Sequence, residues 1–222
     1  DILISGRPSG LAIWLADVQA GTQRRLLKEE PGLAYLPVIS GDGRYVLFRS
    51  RATNLAKGTG SYENAFVRDL QSGVTHALTT NGVVVTAMSL DGRWVAFRGT
   101  SAMYVWDAQT AKRVYTNNAF GSPIAISPDG NRLVYGLSSS LYAVDRAAKT
   151  NWVIATSLSA SRPGLRFSGD SRFLAYVTKA SKDPTDTNGL NDVYLYDFST
   201  GGNTLVSRGH DSVAAWGGDS DW

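Results

Sequence analysis

The residues best suited to hold an ion lie together at positions 183–192, DPTDTNGLND. Asp186, Asn188 and Asp192 surround Gly189 in the spacing D-x-N-G-x-x-D, and Asp183 stands just upstream. Oxygen ligands at alternating positions around a glycine turn are what Ca²⁺ requires. Asp183, Asp186, Asn188 and Asp192 are therefore the candidate metal ligands, with calcium the one cofactor suggested. The pattern is incomplete. A full twelve-residue calcium loop would carry an acid at 184 and a Glu at 195, where this chain has Pro184 and Leu195. The alternative reading of the segment is a long solvated loop.

Other chemistries find less support. Serine hydrolysis needs a nucleophile, a histidine and an acid, commonly with a G-x-S-x-G elbow, which is absent. The two histidines are His76 and His210, and His76 falls where a strand edge is expected. With no cysteine there is no disulfide framework, thiolate metal site or thiol nucleophile. Glycosidic cleavage needs two facing carboxylates. Of sixteen Asp, nine have a repeated structural place, and the rest gather at 183–192 and near the ends. No catalytic residue is assigned, and the chain is not expected to be an enzyme.

The elements that position these residues come from an internal repeat. ISGDGRYVLF (39–48) recurs as MSLDGRWVAF (88–97), ISPDGNRLVY (126–135) and FSGDSRFLAY (167–176). Each copy reads as strand, tight turn, strand. Asp-Gly is a strong hairpin signal, because Gly reaches positive φ without steric cost and Asp bonds nearby backbone N–H groups. Asp42, Asp91, Asp129 and Asp170 are thus turn formers, and four copies of one acid argue against a single catalytic site. A second element follows each hairpin: an aromatic residue, two more, then Asp, at Trp14–Asp17, 66–69, 104–107, 142–145 and 194–197. The unit has four strands, a to d, with c ending at that Asp. These aspartates lie 52, 38, 38 and 52 residues apart. Four strands per 40–50 residues mean a β-propeller, whose core exists only between neighbouring blades.

The pattern resembles the PD40 or TolB-like branch of WD40-like propeller repeats. Ser127-Pro128-Asp129-Gly130 matches that signature outright, while the copies at 40–43 and 89–92 lack its Pro and the fourth has Ser171 in place of Gly. NAFVRDLQSG (64–73) and DVYLYDFSTG (192–201) are similar to the second half of such repeats. The resemblance implies an all-β propeller of four-stranded antiparallel blades. It implies no particular activity, since the family shares a scaffold. The Asp-box of sialidases is a different motif: here Gly directly follows Asp, which is the wrong spacing.

The ends suggest how a ring would close. Residues 1–6 enter at strand b. VAAWGGDSDW (213–222) can be laid on 165–173, placing Asp219 on Asp170, a step of 49 that equals the step from Asp42 to Asp91. On this reading 213–222 supplies strand a to a blade completed by 1–30. The other blades are 31–80, 81–117, 118–157 and 158–208, five in a single domain. The rival register makes the chain a segment of a larger propeller.

Composition agrees with strands and turns: 23 Gly among 222 residues, three Glu, and 10% aromatic. The net charge of +3 is scattered, with Arg24-Arg25 the one adjacent basic pair, so no nucleic-acid stripe is present. No apolar run reaches the roughly 18 residues of a membrane span. The chain starts at Asp1, as a mature domain or excised segment would. The expectation is a monomeric, non-catalytic interaction or scaffold module, extracytoplasmic in a bacterium, that binds another protein or a surface glycan. Its contact surfaces would be the long b–c loops, 51–63 and 179–191. The alternative is a lectin-like propeller stacking sugar on Trp106, Trp152, Trp216 or Trp222, with a hydrolase or lyase third.

Overall fold

The computed structural model describes residues 2–5, 12–27, 34–119, 121–158 and 164–208, the first stretch as backbone alone. They fall into two compact units that divide between Ala119 and Phe120. Every regular element among them is a β-strand.

The first unit holds three antiparallel sheets. Sheet I is β1 (Ile2–Ser5), β2 (Trp14–Asp17) and β3 (Thr22–Arg25), in that spatial order. Sheet II is β4 (Ala34–Ile39), β5 (Tyr45–Ser50), β6 (Asn64–Asp69) and β7 (Thr75–Ala77). Sheet III is β8 (Val85–Met88), β9 (Trp94–Arg98), β10 (Met103–Asp107) and β11 (Lys112–Asn117). The second unit holds sheet IV, β12 (Ile124–Ile126), β13 (Arg132–Leu137), β14 (Ser140–Asp145) and β15 (Thr150–Ala155). Sheet V is β16 (Arg166–Phe167), β17 (Phe173–Thr178), β18 (Asp192–Asp197) and β19 (Gly202–Leu205).

In sheets II to V the strands run a, b, c, d in sequence order, each pairing with the next. Sheet I starts at b: β1 pairs β2 as Ile2↔Asp17 to Ser5↔Trp14, and β2 pairs β3. Residues 213–222, with Asp219, Trp216 and Trp222, lie outside the described residues.

The apolar residues pack between sheets, as the period-two alternation of a strand dictates. In β5, Val46 and Phe48 join Ile13 and Leu15 of the sheet I region, while Tyr45 and Leu47 join Val95 and Phe97 of sheet III. In the second unit Val134 and Ala143 of sheet IV pack with Leu174 and Tyr194 of sheet V. A lone sheet would expose one or both of these faces.

The aromatic that closes each hairpin lies directly across from the first aromatic of strand c. Phe48↔Phe66, Phe97↔Tyr104, Tyr135↔Tyr142 and Tyr176↔Tyr194 are all register partners. Their ring centroids stand 5.5, 5.2, 5.5 and 6.0 Å apart. Such pairs add about 0.5–1.5 kcal/mol beyond area burial. Sheet I departs from the pattern. Trp14 occupies the recurrent aromatic place, which predicts core, yet it is 39% exposed. Its register partner is Ser5, so no cross-strand ring covers it, and the Arg25 guanidinium lies 5.5 Å from its ring instead.

Candidate functional site

Two kinds of surface close the ends of these sheets. One is made by the a–b and c–d turns, the other by the b–c loops and the d–a connectors.

The a–b turns form one repeated device. In all four hairpins the Ser hydroxyl donates to the Asp carboxylate two residues on, at 2.5 Å in each: Ser40–Asp42, Ser89–Asp91, Ser127–Asp129 and Ser168–Asp170. The same carboxylate accepts the backbone N–H of Arg44, Arg93, Asn131 or Arg172 at 2.9–3.2 Å. The Ser oxygen accepts the N–H that opens strand b. The residue after the turn then reaches the strand-c Asp. Arg44 makes a two-pronged bond to Asp69 (3.2 and 2.9 Å), and Arg172 to Asp197 (3.1 and 2.7 Å). Arg93 approaches Asp107 at 3.4 and 3.3 Å, and Asn131 donates to Asp145 at 3.0 Å. Each of these aspartates also caps the c–d turn. The three arginines lie over the aromatic that follows them, Tyr45, Trp94 and Phe173, at 4.4–4.8 Å.

The electrostatics match this geometry. The Arg44 hydrogen bond pulls the Asp69 carboxyl down to about 2. Asp197 lies well below the ordinary carboxylate range, owing first to Arg172. Asp42 and Asp170 are lowered, chiefly by the hydroxyls of Ser40 and Ser168. A carboxylate held ionised by a bound guanidinium is unsuited to proton transfer near neutral pH. Asp69 and Asp197 thus tie strand c to the hairpin, and Asp42 and Asp170 hold the a–b turns.

Consecutive hairpins also bond to each other within each unit. Gly41 N–H donates to Leu90 C=O at 2.7 Å. Gly92 has φ +74°, and a Cβ there would stand 2.3 Å from the Ser40 Cβ. In the second unit Ser171 holds the same left-handed turn position at φ 63°. Its hydroxyl accepts the Asp129 N–H at 3.0 Å, and its carbonyl accepts from Arg132 at 2.9 Å. Where the turn has room, a Ser provides the link between sheets; where it has none, Gly is required.

The opposite end is irregular. In the first unit, loop 51–63 is tied down by Asn64, which is fully buried. The Asn64 amide donates to the carbonyls of Gly60 (3.1 Å) and Tyr62 (3.0 Å). Its oxygen accepts from the Thr79 hydroxyl (3.1 Å) and the Gly82 N–H (3.0 Å). One side chain thus joins the b–c loop of sheet II to its d–a connector, and Gly60 N–H to Thr80 C=O adds a further link. Arg49 and Glu63 pair at 3.0 Å beneath the loop. Tyr62 of this loop is 64% exposed, and Arg51 and Lys57 of the same loop are exposed too.

Beside this connector lies a shallow polar cavity of about 150 Å³, lined by Thr80, Asn81, Thr100, Ser101, Tyr104 and Arg113 among others. Of these, Tyr104 is the recurrent strand-c aromatic, whereas Arg113 has no arginine at its place in the other d strands.

In the second unit, loop 179–191 places the four predicted ligands in separate bonds. Asp183 accepts from the Thr185 N–H (2.9 Å) and hydroxyl (2.6 Å) and pairs with Arg208. Buried Asp186 accepts from the Tyr194 hydroxyl, which burial and that acid push up to about 12. Asn188 caps the turn at Leu190 N–H (2.8 Å), and Asp192 accepts from Ser207 (2.6 Å). Among the described residues no group of three or more His, Cys, Asp or Glu side chains gathers as metal ligands. The second carboxylate oxygen of Asp192 is buried without a hydrogen-bond partner.

Two of the four tryptophans considered for sugar stacking are described, and both are packed. Trp106 meets the His76 ring at 6.0 Å, and Trp152 donates to the Tyr196 hydroxyl at 2.9 Å against Phe198.

No protein-family model and no curated protein matches the chain. Solved structures do. TolB from Acinetobacter baumannii is 17% identical with a TM-score of 0.56, over 92% of this chain and 52% of that one. An oligogalacturonate lyase in complex with manganese is 12% identical with a TM-score of 0.60, over 92% and 61%. The dihydro-heme d1 dehydrogenase NirN in complex with DHE is 18% identical with a TM-score of 0.58, over 91% and 43%. At these identities the likeness shows the fold alone: an all-β propeller of the TolB-like kind. The chain spans about half the length of TolB. The four four-stranded sheets and one three-stranded sheet among the described residues agree with five blades.

Proposed function

We propose that this propeller is a non-catalytic binding module that takes a protein partner on the b–c loop end of its sheets. One observation carries the reading. Buried Asn64 ties loop 51–63 to the d–a connector, with two hydrogen bonds to the loop and two to the connector, while the loop presents Tyr62, Arg51 and Lys57 to solvent. A rigid loop carrying an exposed aromatic and cations loses little entropy on binding, and Tyr and Arg are favoured interface anchors. The regular acids at the other end are committed to the fold. An extracytoplasmic bacterial setting belongs to the same proposal and rests on the family resemblance.

The test is crosslinking with mass spectrometry in a bacterial envelope extract, comparing the wild type with Tyr62→Ala and Lys57→Glu. Crosslinks to one protein that pass through loop 51–63 and vanish in both variants are expected. Crosslinks unchanged by either variant contradict the reading. So does glycan-array binding abolished by Trp106→Ala, which would make the protein a lectin.

A further inference from the structure

The cavity beside the d–a connector of sheet II has an arginine whose setting resembles that of the turn arginines, with one difference. Arg44, Arg93 and Arg172 each lie on an aromatic ring and each hold a carboxylate: Asp69, Asp107 and Asp197. Arg113 lies on the Tyr104 ring at 4.0 Å, closer than any of them. It makes no ion pair among the described residues, and it lines the cavity. The ring beneath it is itself fixed, since the Tyr104 hydroxyl and the Ser101 hydroxyl stand 2.9 Å apart. The connector that forms the far wall is held by Asn64 through Thr79 and Gly82. Thr80 and Thr100 add hydroxyls to the lining.

From this we infer that the cavity is a subsite for the carboxylate of a ligand, with Arg113 as its binding residue. A guanidinium stacked on a ring keeps its planar edge of N–H donors turned outward, which matches a carboxylate in two-pronged fashion. The hydroxyls around it suit the polar remainder of a small ligand. The inference stands whether or not a protein docks on loop 51–63. Its source is either a peptide C-terminus or an acidic sugar, and the shared chemistry is the carboxylate.

The experiment is an amide NMR titration of the whole chain with N-acetylglycine, methyl glucuronide, and the uncharged N-acetylglycinamide, up to tens of millimolar. The account expects at least one of the two carboxylates to shift the resonances of Thr80, Gly82, Ser101 and the Arg113 side chain, and the amide not to. The stronger of the two identifies the source. Arg113→Ala should weaken binding at least about 10-fold, with Arg113→Lys in between, because a charge-assisted two-pronged bond is lost. Dispersed spectra of both variants confirm their fold, and Arg113 lies on an exposed part of β11. No shift with either carboxylate, equal shifts with the amide, or unchanged affinity in Arg113→Ala would each overturn the assignment.

Discussion

The two ends of each sheet solve different problems with the same residue types. At the turn end, Ser, Asp, Arg or Asn and an aromatic ring recur at fixed spacing, and each turn Asp and strand-c Asp of the four hairpins has a partner a few residues or one strand away. At the loop end of the first unit, Tyr104 is the recurrent strand-c aromatic and Asn64 has Asp192 as its counterpart, but Tyr62 and Arg113 stand where the other repeats carry different residue types, and Arg113 has a ring without a carboxylate. Repetition marks what each blade needs in order to fold. Departure from repetition marks what the molecule can spend on something else.

This contrast can be broken first at the tightest point of the turn end. Gly92→Ala places a Cβ against Ser40 in a left-handed turn and should cost about 2–4 kcal/mol in urea unfolding. Gly21, with open space around its Cβ position, should lose far less. Equal losses would mean that the contact between hairpins contributes nothing.

Next in size is Asp69→Asn, which removes the carboxylate that Arg44 grips. A loss of about 1–3 kcal/mol at neutral pH is expected. Because the folded carboxyl is depressed to about 2, its stabilisation is complete above the ordinary carboxylate range and is lost as the pH falls through about 2. The wild type should therefore lose stability on acidification more steeply than the variant, as followed by circular dichroism. Parallel curves would remove the Arg44–Asp69 pair from the account.

The smallest effect concerns loop 179–191. Asp183, Asp186, Asn188 and Asp192 each accept bonds from the protein, so neither calcium nor chelator should move the melting temperature. A rise with calcium would instead assign the unpartnered oxygen of Asp192 to a metal.

Much of the turn end could be read from the residues. The Ser-x-Asp-Gly hairpins and the strand-c aspartates repeat, and repetition is visible in one sequence. The link between them was equally visible: the residue after the turn is Arg44, Arg93, Asn131 or Arg172, always a donor, and always aligned with an Asp that ends strand c. The exposure of Trp14 depends on the residue across the strand, which is Ser5 and not an aromatic, and that pairing is not part of the repeated motif. The bulge in β4, where the register shifts between Tyr35 and Val38 and Leu36 takes φ 51°, has no Gly to announce it. The cavity was beyond reach for a deeper reason. It forms where a d–a connector, a b–c turn and a d strand meet, and Arg113 comes to Tyr104 by side-chain reach.

The division of labour between the two ends is tested most directly by measuring stability and partner binding on the same pair of variants, Asp69→Asn and Tyr62→Ala. The account predicts a crossed result: Asp69→Asn lowers the unfolding free energy yet keeps the crosslinks through loop 51–63 while folded, and Tyr62→Ala loses the crosslinks with stability within about 0.5 kcal/mol of wild type. Crosslinks lost in Asp69→Asn at a temperature where it is fully folded, and kept in Tyr62→Ala, would contradict it.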